Sequence, residues 1–311
     1  MTPAAARPPA PPAELHVGLV NNMPDAAFLL TERQFARLLR AAAGGRRVRL
    51  HRTTLPEISR GPAVTAQIAA RYLSLGEMFE RPLDGLIVTG REPRTSDLRA
   101  EPYWPSFRRL ADWAREHTRS TVWSCLAAHA AVLHLHGIER RPLGRKLAGV
   151  FARRLHGGAA LGLTPYSPVP HSRQNTLDAG ELVRRGYALI SEVEGGQPDT
   201  FALDAGSRFL FLQGHPEYEA DTLKLEYERD VRRFLEGRLD SPPPVPTNYF
   251  EAKDEPSAGG DPLAWLAQAL PPPGLPPWRD SAVAFYSAWL DGLAGRALEP
   301  TAPIAELYSA A

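Results

Sequence analysis

The first half of the chain alternates short apolar runs with longer amphipathic stretches, and this alternation constrains the fold more than any other feature. Strands are predicted at residues 15–20, 48–52, 83–90 and 120–124. Several of the stretches between them have helical spacing over ten or more residues. Parallel strands need crossover connections of this length, which are usually helical. The sequence therefore predicts an α/β fold with a mainly parallel sheet and helices on both faces.

Polar or reactive residues follow several of the predicted strands. Asn21–Asn22 follows the first strand, Gly90 ends the third, Cys125 follows the fourth, and His215 follows a later apolar run. Because ligands bind outside the carboxyl ends of such strands, we expect one cleft to collect these residues.

Cys125 is the only cysteine in 311 residues and stands where strand 120–124 meets a helix predicted to begin at Leu126. A strand-to-helix turn exposes its side chain, while the helix N-terminus favours a thiolate and supplies N–H donors for an oxyanion. A lone cysteine can also be a small buried apolar residue. His215 and Glu217 favour the reactive interpretation, since they provide a base and an orienting carboxylate.

The histidines allow more than one interpretation. His129, one helical turn beyond Cys125, is a second candidate base, although packing or lining the pocket is the interpretation we favour. The His-Pro-Glu segment at residues 215–217 can also be a simple polar turn. The nine histidines are scattered and no cysteine cluster exists, so no metal site is predicted. Phosphate-binding and dinucleotide-binding glycine motifs are also missing, so no resident cofactor is expected.

Composition and charge exclude several classes of partner. Hydrophobic residues make up 43% of the chain and charged residues 23%, as in a globular protein with a sizeable core. The net charge is +1 and no basic stripe alternates with aromatics, so nucleic acid is not an expected partner. No apolar run approaches the ~20 residues of a membrane span. A single cysteine and the lack of a signal-peptide pattern favour the cytoplasm.

Proline-rich stretches suggest the domain boundaries. Residues 1–13 are predicted to be a flexible leader, and residues 14–240 the catalytic α/β domain. Residues 241–311 are predicted to form Pro-rich spacers and a helical C-terminal extension that packs on the same domain. Within the catalytic domain, Thr31 is the expected N-cap of the first helix, and residues 147–201 look irregular.

The chain resembles the homoserine O-acyltransferases of methionine biosynthesis, which comprise O-succinyltransferases and O-acetyltransferases. The resemblance extends from about residue 15 to 293. It implies the class I glutamine amidotransferase-like fold, a flavodoxin-like three-layer sandwich, here with a C-terminal extension. The segments that carry it are residues 20–24, 31–35, 84–90, 103–104, the turn at Cys125, and residues 149–151, 170–173, 214–218, 226–230, 278–279 and 287–290.

The resemblance implies a two-step acyl transfer with acyl-CoA as co-substrate. Cys125 would take the acyl group from CoA, and His215, oriented by Glu217, would then deprotonate the hydroxyl of homoserine. The backbone N–H of Leu126 would help to hold the oxyanion. By position, the substrate-binding residues would be Lys146, Ser172 and Arg229.

Departures from the family pattern bear on the identity of the acyl donor and of the acceptor. The family distinguishes acyl groups in the segment after the third strand, where this chain has Arg91 and Arg94. Either cation would attract the free carboxylate of a succinyl group, so succinyl-CoA is favoured over acetyl-CoA. Asn22 and His129 also depart from the pattern and could suit another hydroxy amino acid, such as serine.

Two other functions were considered. A glutamine amidotransferase or related hydrolase would use the same Cys-His-Glu set, but Trp123 and Ala127 replace the glycines usual around its cysteine. A non-catalytic binding protein has no evident reason to keep Cys125, His215 and Glu217 together. The expected partners are small-molecule substrates, and the sequence leaves room for a homodimer.

Overall fold

The computed structural model describes residues 14–157, 161–251, 262–270 and 274–295, so the predicted leader and parts of the predicted extension lie outside the described residues. The strands are β1 (Leu15–Val20), β2 (Val48–Thr53), β3 (Gly85–Thr89), β4 (Ser120–Ser124), β5 (Arg141–Ala152), β6 (Arg154–Leu155), β7 (Pro168–Thr176), β8 (Ala188–Val193), β9 (Gln197–Asp204) and β10 (Arg208–Leu212). The helices are α1 (Asp25–Ala42), α2 (Pro62–Arg71), α3 (Leu75–Phe79), α4 (Trp104–His117), α5 (Leu126–His136), α6 (Ala179–Arg184), α7 (Thr222–Leu235), α8 (Pro262–Gln268) and α9 (Arg279–Leu293).

The main sheet has the strand order β2-β1-β3-β4-β10-β9-β8-β6. The five strands from β2 to β10 are parallel, and β9, β8 and β6 continue the sheet in antiparallel fashion. A second, smaller sheet pairs β5 with β7. The predicted α/β fold with a mainly parallel sheet is confirmed.

The register of the parallel strands brings their carboxyl ends to one level. Thr89 of β3 and Leu212 of β10 both lie opposite Ser124 of β4. The segments that follow these three strands therefore begin side by side, at the edge of the sheet where ligands are expected.

Helices cover both faces of the sheet. On one face α3, α4, α5 and α6 pack around a core that contains Trp123 and Phe209. On the other face α1 and α9 enclose Phe35 and Trp289, and the indole N–H of Trp289 donates to Ser120 Oγ at 3.0 Å. None of the helices in the described ranges is long and apolar enough to cross a membrane.

Two local predictions are wrong. Thr31 does not cap the first helix but lies buried inside α1, which begins at Asp25 because Ala26–Leu30 continues the helical pattern toward the N-terminus. Residues 147–201 are largely regular and contain the second half of β5, the first part of β9, and all of β6, β7, β8 and α6. Their antiparallel strands carry many polar side chains, which hides the apolar pattern that marks the parallel strands.

Candidate active site

Cys125 occupies the sharp turn between β4 and α5. Its backbone has φ 50° and ψ −109°. Such a conformation costs a non-glycine residue roughly 1–3 kcal/mol and is found mainly at functional sites. The N–H of Cys125 donates to the carbonyl of Leu212 at 2.7 Å, which ties the turn to β10. The turn therefore presents the sulfur at the N-terminus of a helix, as in known nucleophile elbows.

His215 and Glu217 lie in the turn that follows β10. The N–H of His215 donates to the carbonyl of Pro170 on β7 at 2.8 Å. Its Nδ1 lies 2.8 Å from Glu217 Oε1 and carries the proton, because a carboxylate can only accept. Nε2 is left free of this contact, and Cys125 is close enough to His215 to influence its pKa. The ring stacks on Tyr218 with centroids 4.3 Å apart.

The electrostatics of the site favour a protonated His215. His215 is only 6% exposed, and burial lowers its pKa. Interactions with Glu217 and Cys125 outweigh burial and raise the pKa of His215 well above its ordinary value. The imidazolium form of His215 is therefore favoured at neutral pH, and a cation of this kind suits a nucleophilic cysteine placed beside it.

Cys125 and His215 open onto a cavity of about 440 Å³. That volume falls within the ~300–1,000 Å³ typical of small-molecule sites. Within the described ranges, no cluster of His, Cys, Asp or Glu is suited to a metal ion. The charged side chains of the lining are Glu92, Arg94, Arg140, Lys146, Arg173, Glu217, Glu226, Arg229, Asp230 and Arg233.

Asp230 on α7 joins two of the predicted substrate-binding residues. It accepts hydrogen bonds from Lys146 Nζ at 2.7 Å and from Arg229 Nε at 2.9 Å. Burial tends to raise the pKa of Asp230, but the Arg229 hydrogen bond and the Lys146 charge hold it below its ordinary value. Two cations are thus fixed at the cavity wall by one carboxylate, an arrangement suited to an anionic substrate group.

Of the remaining predicted site residues, the structure brings all but one to the cavity. Ser172 on β7, Leu126 at the start of α5 and Arg94 in the segment after β3 all line the cavity. Arg91 is not among the described lining residues, and its charge acts on Tyr103. Of the two acyl-specificity candidates, the structure brings only Arg94 to the cavity.

Hydrogen bonds within the protein engage the Nε2 atom of His129 and the side-chain amide of Asn22, whereas the buried Nδ1 of His129 has no partner among the described residues. His129 Nε2 lies 2.6 Å from Gln213 Oε1, and burial lowers the pKa of this histidine to about 3, so it is neutral at physiological pH. The Asn22 amide donates to the Thr89 carbonyl at 3.0 Å and accepts from the Leu55 N–H at 3.1 Å. His129 therefore fits the lining role, and Asn22 links loops and does not face a substrate.

Gly90 sets how closely the segment after β3 approaches the nucleophile turn. A Cβ at this position would lie 2.6 Å from the backbone N of Ala127 and would also collide with the side chain of Leu126. Only glycine allows this contact, since backbone atoms at the start of α5 cannot move without moving Cys125.

Gly90→Ala is therefore expected to lower both stability and turnover. Overpacking of this kind typically costs about 1–3 kcal/mol, and here the displaced element carries the nucleophile. The checks are the urea midpoint and the rate at which Cys125 is alkylated. Gly76→Ala, at an exposed position of α3, is the matched control, because its Cβ would meet nothing closer than 4.0 Å. Equal effects of the two substitutions would contradict this account of Gly90.

Comparison with known proteins identifies the family. The family model described as homoserine O-succinyltransferase matches residues 11–294. A protein named homoserine O-succinyltransferase from Rhodopseudomonas palustris is 51% identical over 244 residues, which cover 78% of this chain and 73% of the relative. The chain belongs to the homoserine O-succinyltransferase family. A second member, from Methylorubrum extorquens, is 41% identical over 293 residues, with 89% of this chain and 86% of the relative covered.

Solved structures place the family fold among the class I glutamine amidotransferase-like folds. A glutamine amidotransferase from Thermotoga maritima superposes with a TM-score of 0.51, covering 92% of this chain and 99% of the other. The sequences are only 12% identical, so the likeness concerns the fold alone. The fold implied by the sequence resemblance is confirmed.

Some cavity residues were not found by sequence reasoning. In sequence, an aspartate next to an arginine on a helix is typical of a surface ion pair, yet the Asp230 side chain is only 8% exposed and also binds Lys146. Arg140 carries no motif that marks it, and Arg173 stands in a segment that carries the resemblance but was not predicted to be a site residue, although both line the cavity. The one available signal was helical spacing, since residues 226, 229, 230 and 233 share one face of α7.

Proposed function

We propose that this protein transfers the succinyl group of succinyl-CoA to the hydroxyl of L-homoserine through a thioester on Cys125, a step of methionine biosynthesis. The observation that carries the proposal is that Cys125, His215 and Glu217 line one cavity, with His215 Nδ1 2.8 Å from Glu217 Oε1. Membership of the homoserine O-succinyltransferase family supports the choice of substrates.

The first half-reaction forms the acyl-enzyme. The Cys125 thiolate attacks the thioester carbonyl of succinyl-CoA, and the developing oxyanion is stabilised by N–H groups at the start of α5, including that of Leu126. The carbon–sulfur bond to CoA then breaks. The His215 imidazolium gives its Nε2 proton to the leaving thiolate, so free CoA departs and His215 becomes neutral.

The second half-reaction transfers the succinyl group to the alcohol. Neutral His215 removes the proton of the homoserine hydroxyl as its oxygen attacks the thioester on Cys125. The ester is released, and the imidazolium–thiolate pair is restored. Glu217 stabilises the positive charge that returns to the ring, and Lys146 and Arg229 supply the cationic groups for the amino acid's carboxylate.

A free-CoA release assay that crosses succinyl- and acetyl-CoA with homoserine and serine tests the proposal. Acylation of Cys125 alone should free about one equivalent of CoA per enzyme. We expect continued release beyond this burst only when an acceptor is present, and fastest release with succinyl-CoA and homoserine. Faster turnover with acetyl-CoA than with succinyl-CoA would contradict the proposed acyl donor. Faster turnover with serine than with homoserine would contradict the proposed acceptor. Formation of ammonia from glutamine, without release of CoA, would contradict the proposal and show that the protein is an amidotransferase-type hydrolase.

Glu217→Gln is expected to lower kcat by on the order of 100-fold or more while the protein stays folded. Without the negative charge, burial dominates and the pKa of His215 falls, so the imidazolium that accompanies the thiolate is lost. Alkylation of Cys125 by iodoacetamide at neutral pH should slow in parallel. Glu219→Gln, two residues further on and paired with Arg37 at the surface, is the matched control. Unchanged alkylation in Glu217→Gln would show that Glu217 does not act through His215.

A further inference from the structure

The charges that line the cavity are unevenly paired. All four lining carboxylates have a cationic partner within 4.0 Å: these partners are His215 for Glu217, Arg229 for Glu226, Lys146 and Arg229 for Asp230, and Arg233 for Glu92. Three lining arginines have no carboxylate within that distance among the residues the structure describes. These unpaired arginines are Arg94, Arg140 and Arg173.

Arg173 is the most unusual of the three because it is buried. Its residue is only 4% exposed, and its hydrogen bonds go to neutral acceptors such as Gln197 Oε1 at 3.1 Å and Gln213 Oε1 at 3.3 Å. Its Nε is buried and has no hydrogen-bond partner among the described residues. Asp199 acts on it only from a distance, and that carboxylate is already bound to Arg153 at 2.8 Å. A buried guanidinium that contacts only neutral acceptors is electrostatically suited to bind an anionic group.

Arg140 and Arg94 extend this positive region toward the cavity mouth. The half-buried Arg140 donates to the carbonyl of Ser96 at 3.0 Å, which holds the segment that carries Arg94. The charges of Arg140 and Arg173 both act on His129, so these two cations approach the same part of the lining. The nearby Glu101 is occupied by the backbone N–H groups of residues 94 and 95.

We propose that the three unpaired arginines form the subsite for the free carboxylate of the succinyl group, with Arg173 as its innermost member. The inference rests on the proposed function and extends it to the acyl subsite. Arg173 and Cys125 line the same cavity, and a succinyl group attached to that sulfur is only four carbons long. The phosphates of CoA lie beyond the long pantetheine arm and so fall outside this buried position.

The test is the rate of Cys125 acylation, followed by mass spectrometry without any acceptor. Succinyl-CoA is compared with butyryl-CoA, which has the same chain length and no carboxylate. We expect Arg140→Gln to slow succinylation roughly 10-fold and Arg173→Lys roughly 10- to 100-fold, with butyrylation changed less than about twofold. Arg99→Gln, on an exposed arginine paired with Glu139, should change neither rate.

Each other outcome counts against the inference. Equal slowing of succinylation and butyrylation would give these arginines a structural role. A defect that disappears with succinyl-N-acetylcysteamine, which lacks the CoA phosphates, would make the region a phosphate subsite. Wild-type preference for butyryl-CoA would overturn the carboxylate subsite while acyl transfer stands, whereas no acylation by any thioester would overturn the proposed function itself. If Arg173→Lys does not fold, the more exposed Arg140→Gln carries the test.

Discussion

Replacing Cys125 with serine is expected to abolish succinyl transfer, with kcat lower by on the order of 10⁴-fold or more. A serine hydroxyl is not ionised by the neighbouring imidazole, so the charge-separated pair with His215 cannot form. The hydroxyl is also a far weaker nucleophile toward a thioester. Intact-protein mass spectrometry with succinyl-CoA should show one added succinyl group on the wild type and none on the variant.

The same variant should keep its fold and its binding of succinyl-CoA, because one oxygen for one sulfur changes little in the partly exposed turn. Its thermal midpoint and its dissociation constant by calorimetry serve as controls. Retained turnover in a folded Cys125→Ser protein would remove the covalent intermediate and require direct attack of homoserine on the thioester. That result would leave the family assignment untouched, since the assignment does not depend on the mechanism.

The parallel half of the fold could be predicted because its elements carry strong patterns. The residues of β3 and β4 are all buried, so these strands read as continuous apolar or small-residue runs between helices. The carboxyl ends of parallel strands meet at one edge of a sheet. The sequence therefore predicts that Cys125 and His215 lie close together. Cys125 and His215 are distant in sequence, but they follow the neighbouring parallel strands β4 and β10.

The second sheet could not be predicted in the same way. β5 is mostly polar or half-exposed over its first seven residues, and its pairing with β7 has an irregular register. These strands nevertheless bring Lys146, Ser172 and Arg173 to the cavity wall. Whether an arginine is solvated or buried is a tertiary property here, so no local pattern distinguishes Arg173 from the surface arginines of the chain.

A buried charge network beside the His215 turn was also invisible in the sequence. The Asp199 carboxylate accepts hydrogen bonds from Arg153 Nε at 2.8 Å, Ser191 Oγ at 2.7 Å and Thr200 Oγ1 at 3.0 Å. Burial tends to raise the pKa of Asp199, but the charge of Arg153 holds it well below its ordinary range. The Asp199 carbonyl also accepts the N–H of Gln213, two residues before His215.

Asp199→Ala is expected to destabilise the protein by about 3–5 kcal/mol, because it leaves the buried Arg153 guanidinium without its counter-ion. The loss is a large fraction of the roughly 5–15 kcal/mol that holds a typical domain together. Glu139→Ala is the matched control, since its pair with Arg99 is exposed to solvent and should contribute little to stability. Urea unfolding of both variants measures the difference, and similar midpoints for the two would contradict a structural role for the network.

The difference in stability between the wild type and Asp199→Ala should depend on pH, because folding lowers the pKa of Asp199. A carboxyl group whose pKa is depressed by folding stabilises the native state above its unfolded pKa of about 4, and the contribution declines as pH falls toward the lower folded value. The gap between wild type and Asp199→Ala should therefore be constant from neutral pH down to about 5 and should narrow near pH 3. A gap that stays the same under acid conditions would mean that lost packing, and not the lost charge, destabilises the variant.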